Sequence, residues 1–209
     1  MKNTETSNQR PILVKIAAQL LKDQQELDSL AVQLSLGKAE AKDKFEEAKK
    51  QMKKSIQDFK NTIDAEYKQN KEWSQSIDVK LTDLESLLSK GIAESREIFT
   101  EQKKSIIGAI ERLENEIKTN PEVVKLANYF TASLEKIKLQ MELFEMEIEG
   151  KKIVLTELFK DEMKNAREVI VSVSKQLEEK KDEAKLKAEK FNDEIRLAYD
   201  HFKKAIKSL

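Results

Sequence analysis

Apolar residues recur every three or four positions from Pro11 to Leu209, and the pattern is strongly interrupted at one place, the triplet Thr119-Asn120-Pro121. A 3.6-residue period held over such a distance predicts long amphipathic helices. Beyond the triplet the stripe is clean: Ala127, Phe130, Leu134, Ile137, Met141, Phe144, Ile148, then Leu155, Phe159, Ala166, Ile170, Val173 and Leu177. It continues through Ala184, Ala188, Phe191, Ile195, Ala198, Phe202 and Leu209. Steps that alternate between three and four make this a heptad seam. Because the phase survives Gly150, the simplest expectation is one helix spanning 121–209, about 130 Å long at 1.5 Å per residue.

The triplet is the expected turn. Asn120 can cap, Pro121 suits a first helical position, and Glu122 complements the positive end of the helix dipole. Residues 1–10 read as a disordered lead-in, and Pro11 opens a helical arm running to 118. A weaker candidate break lies at 68–76, where the stripe thins and Ser74 or Ser76 could cap a new helix. Gly37, Gly91, Gly108 and Gly150 all sit inside periodic segments, so none is expected to end a helix. In the first arm Leu34, Phe45, Ile56 and Tyr67 recur every eleven residues, which suits a nearly straight helix better than a left-handed supercoil.

A partial second seam, Leu139, Leu143, Met146, Gly150 and Ile153, runs beside the main one, and apolar doublets recur at Leu87/Leu88, Ile98/Phe99 and Ile106/Ile107. A helix with two apolar faces touches two partners. The five residues are therefore the candidate self-association surface of a homodimer. The alternative is that residues 11 to about 68 fold back and cover them within one chain, as in a spectrin-like three-helix bundle. The fold class expected is all-α: an elongated antiparallel coiled-coil hairpin, or a three- or four-helix bundle, built from very long helices.

Composition agrees. Of the 209 residues 37% are charged, with only two prolines and four glycines, a mixture typical of long helices. Lys plus Arg equals Asp plus Glu at 39 each, so no net field draws the chain to nucleic acid, which is disfavoured as a partner. Zero cysteines exclude disulfides and thiolate metal sites. The polar N-terminus shows no signal peptide, and no apolar run reaches the roughly 20 residues of a membrane span, so a cytoplasmic protein is expected.

Catalytic chemistry is hard to assemble from these residues. The only histidine, His201, lacks the Glu-x-x-His spacing of a di-iron helix because position 198 is alanine. No cysteine nucleophile and no glycine-rich phosphate loop occurs, so neither an enzyme nor a cofactor is expected. Lysine pairs such as Lys49-Lys50 and Lys103-Lys104 interleave with acids and read as solvated faces. Trp73, placed where the stripe thins, is a candidate partner anchor.

The stretch from Leu30 to Glu46, Leu-Ala-Val-Gln-Leu-Ser-Leu-Gly-Lys-Ala-Glu-Ala-Lys-Asp-Lys-Phe-Glu, resembles a motif of uncharacterised bacterial coiled-coil proteins. The resemblance implies a bacterial helical protein and brings no activity with it. Two function classes follow. One is a structural or scaffolding protein that self-associates through its helices and binds protein partners. The other is an amphipathic coat for a lipid or granule surface, like phasins, apolipoproteins or BAR domains in general character, which the eleven-residue period allows.

Overall fold

The computed structural model describes residues 5–37, 40–66, 71–119, 121–179 and 184–209. Among them are seven helices and no strand: α1 (Glu5–Ser35), α2 (Ala41–Glu66), α3 (Lys71–Leu88), α4 (Arg96–Thr119), α5 (Pro121–Ile148), α6 (Glu157–Glu179) and α7 (Ala184–Lys207). They form two compact units, one of Met1–Lys38 with Ile153–Leu209, the other of Ala39–Lys152. The all-α expectation holds, but the helices are shorter than expected, from 18 residues in α3 to 31 in α1.

Glycines account for two of the unexpected ends. Gly150 has φ 71°, a left-handed conformation that costs glycine nothing. Its N–H donates to Glu147 O at 2.8 Å and the Lys151 N–H to Met146 O at 2.9 Å, so the last carbonyls of α5 are satisfied in a Schellman motif. Gly37, with φ 63°, ends α1 likewise, its N–H donating to Leu34 O at 3.1 Å. The single helix expected over 121–209 is therefore α5, α6 and α7, and the eleven-residue series passes from α1 at Leu34 to α2 at Phe45 across a helix end. New starts are capped by hydroxyls. Thr156 Oγ1 accepts the Phe159 N–H at 3.0 Å for α6, and Ser95 Oγ accepts the Ile98 N–H at 3.3 Å for α4.

Helix boundaries fall at or beside both candidate breaks: α4 stops at Thr119 and α5 starts at Pro121, while α2 stops at Glu66 and α3 starts at Lys71, so Ser74 and Ser76 lie inside α3 and do not cap it. Asn120 itself, and Tyr67 through Asn70, lie outside the described residues. Residues 1–4 of the expected lead-in also lie outside the described residues, and α1 begins at Glu5, ahead of the start expected at Pro11.

The unit of α2 to α5 is an antiparallel four-helix bundle whose register can be read from contacts between neighbours. Lys60 bridges to Glu85 at 2.8 Å between α2 and α3, and Lys80 to Glu116 at 2.8 Å between α3 and α4. Between α4 and α5 run three pairs, Lys138–Glu114 at 2.9 Å, Lys103–Glu145 at 2.6 Å and Arg96–Glu149 at 3.1 Å. The ring closes from α2 to α5 by aromatics: Phe59 stacks on Phe130 at 4.4 Å and Phe45 meets Phe144 edge-on at 6.1 Å. In the α4–α5 and α2–α5 series one number rises as the other falls, so both pairs are antiparallel, as in an up-down-up-down bundle.

The other unit packs α1, α6 and α7 around Leu20, Leu27, Ala31, Phe159, Ala166, Ile170 and Phe202, all buried. Thr156 Oγ1 lies 3.2 Å from Ser208 Oγ, and Glu162 Oε2 lies 2.5 Å from His201 Nδ1, so α6 and α7 are antiparallel.

Candidate functional site

Lys49 is on the apolar stripe of α2, four residues after Phe45 and three before Met52, and is only 1% exposed. Its Nζ donates to Lys90 O at 2.9 Å, Gly91 O at 3.4 Å and Gln102 Oε1 at 3.5 Å. Glu46 Oε1 lies 2.6 Å away as an ion contact outside hydrogen-bond geometry, and the Phe45 ring centroid is at 4.9 Å. Gln102, also buried, donates from Nε2 to Gly91 O at 2.9 Å. A buried ammonium survives when its donors and its charge are met, and here both are. The partners are backbone carbonyls, so the group is a tether: it fixes the connection between α3 and α4 onto α2. Lys42 Nζ adds a second tie to Glu94 O at 2.7 Å.

That anchored connection sets the direction in which α4 leaves. Its inner face buries Phe99, Ile106, Ala109, Ile110, Leu113 and Ile117. Its first turn is electrostatically settled, since the Glu97 carboxylate is held below its ordinary range first by its own backbone N–H and then by the Ser95 hydroxyl. Along the outer face Glu97, Lys104, Glu111 and Lys118 are exposed at seven-residue steps, with Glu101, Gly108 and Asn115 beside them.

Over this face lies an open groove of about 750 Å³. Thr100, Ser105, Ile107 and Gly108 of α4 line it with Leu87 of α3 and Glu145 of α5, and Lys103, Lys104, Glu111 and Arg112 bring both signs of charge. Lys103 is engaged by Glu145. At Gly108 a methyl group would meet Arg112 Nη1 at 3.4 Å and nothing else, so the base is open above the glycine. The arrangement offers half-buried apolar floor between charged margins, a surface for another helix.

The residues expected to form a self-association seam are not together on a surface. Leu139 and Leu143 are buried inside the four-helix unit, Met146 is half-buried, Gly150 is in the exposed α5 cap, and Ile153 is buried in the other unit. Two causes correct that expectation: the chain covers this apolar surface itself, and the left-handed Gly150 breaks the helix that would have aligned the five. The Trp73 side chain lies outside the described residues. His201 is half-buried and paired with Glu162.

Sequence reasoning missed Lys49, which was grouped with surface lysines although its i−4, i+3 and i+7 neighbours Phe45, Met52 and Ile56 are all apolar. It did single out the doublets Leu87/Leu88 and Ile106/Ile107, whose outer members Leu87 and Ile107 line the groove. Among the described residues no group of three His, Cys, Asp or Glu side chains could hold a metal ion, and no helix is long and apolar enough to cross a membrane. Comparison with protein-family models, curated proteins and solved structures finds no match to the chain.

Proposed function

We propose that the chain is a non-catalytic helix-bundle protein that works by self-association and helix-mediated partner binding, in a structural or scaffolding role. The observation that carries this reading is the outer face of α4, a groove lined by Leu87 and Ile107 among charges of both signs, on a helix whose inner face is already packed. Its balanced charge suits another amphipathic helix better than an anionic bilayer or nucleic acid, which would favour a basic excess.

The test is light scattering on the eluting chain, with and without anionic vesicles. A mass of twice 24.1 kDa that is indifferent to vesicles supports the reading. A particle of 24.1 kDa that gains helix and sediments with vesicles contradicts it and favours a surface coat.

A further inference from the structure

The exposed row along the outer face of α4 has a charge pattern that matches itself. Glu97, Lys104, Glu111 and Lys118 alternate in sign at heptad spacing on the exposed side of a 24-residue helix. Reversed end for end, that row reads Lys, Glu, Lys, Glu. We infer that the partner of this face is a second copy of the same face, packed antiparallel about a two-fold axis passing between Ile107 and Gly108. This deepens the proposed function and rests on it.

The register follows from arithmetic on the positions. With the axis between 107 and 108, position 104 of one chain faces position 111 of the other, and 97 faces 118. Each contact then joins Lys to Glu, and the two-fold makes each occur twice. The axis also brings Ile107 of one chain over Gly108 of the other, where the missing side chain lets the helices approach closely and the Ile107 methyls enter the open base. The parallel alternative fails on the same row: in register it opposes Glu to Glu and Lys to Lys. Lys104 and Glu111 are exposed on each chain, whereas the flanking lysines Lys80, Lys103 and Lys138 already hold acids of their own chain.

The experiment is sedimentation equilibrium of the full chain and two variants, Lys104→Glu and Glu111→Lys. Each variant alone sets like charges against each other twice and is expected to weaken the dimer about tenfold. In an equimolar mixture of the two variants every contact between 104 and 111 again joins opposite charges, so the mixed dimer is expected to form as well as the wild type. Both positions are exposed, and unchanged helicity by circular dichroism checks that the variants fold. A dimeric wild type whose single variants dimerise undiminished overturns the α4 surface and leaves self-association standing. Variants that stay monomeric when mixed overturn the antiparallel register. A wild type that is monomeric throughout overturns both this inference and the reading it rests on.

Discussion

In the four-helix unit every neighbouring pair of helices is joined by an ion or aromatic pair, whereas in the three-helix unit a histidine–carboxylate pair, Glu162–His201, and a hydroxyl pair, Thr156–Ser208, set α6 against α7. Apolar stripes determine which face of a helix is buried and say little about how far one helix slides along another. Fixed ion and aromatic pairs add that information. In the four-helix unit such pairs tie α4 to both of its neighbours, α3 and α5, so α4 is held with a defined outer face.

The largest test of this contrast removes packing. Phe144 is fully buried against Phe45, so Phe144→Ala should cost about 3–5 kcal/mol, read as a lower urea midpoint. Phe202→Ala in the three-helix unit should cost a similar amount, because burial is common to both units. Next comes the tether. Lys49→Ala takes the ammonium from the Lys90 carbonyl and leaves Gly91 O to Gln102 alone, and should cost about 3 kcal/mol by the general scale for broken buried pairs. It should also speed tryptic cleavage after the exposed Lys90; an unchanged cleavage rate would remove the tether from the account.

Gly150→Ala places a side chain at φ 71° and should cost about 1–2 kcal/mol, while Gly108→Ala in the helix interior should stabilise by up to about 1 kcal/mol. Thermal melts of the pair distinguish a glycine that ends a helix from one that does not.

The alkaline limit separates the units more gently. Burial opposes the charge on Lys138, but hydrogen bonds and the charges of Glu135 and Glu114 outweigh it and hold its pKa above the ordinary 10.5. The same balance at Lys60, through Glu85 and Asp78, raises that group too. A raised folded-state value gives stability that is complete below the unfolded value and is lost as pH climbs through the folded one. Stability should therefore fall above pH 10.5, and Lys138→Met should remove its share of that fall. Last, His201→Ala removes an α6–α7 polar contact and should cost at most about 1 kcal/mol, well below the Lys49 variant.

The helical class and the buried stripe were legible because a 3.6-residue period survives in any helix that buries one face. Phe130, Leu134, Ile137, Met141, Phe144, Phe159, Ala166 and Ile170 are all buried as their spacing implied. Helix ends were legible only where proline or thinning of the stripe marked them. Gly37 and Gly150 look like Gly108 in sequence, since a glycine's φ depends on whether the following residues have something to pack against. Ser95 with Glu97, and Thr156 with Glu157, carried capping signals for α4 and α6 that the continuous stripe concealed. The candidate site was half legible. The apolar doublets announced a second face on α4, but which doublets the chain would cover itself depended on the turn at 89–95, and so on a lysine that composition alone assigns to solvent.

Leu139 and Leu143 of α5 are covered within the chain, and the outer face of α4 is the one proposed to take another copy. Hydroxyl-radical footprinting of dilute and concentrated protein separates the two faces. Leu139 and Leu143 should stay unlabelled at both concentrations, and Ile107 should be labelled when dilute and protected when concentrated. Labelling of Leu139 and Leu143 that disappears on concentration, with Ile107 unchanged, would contradict the account.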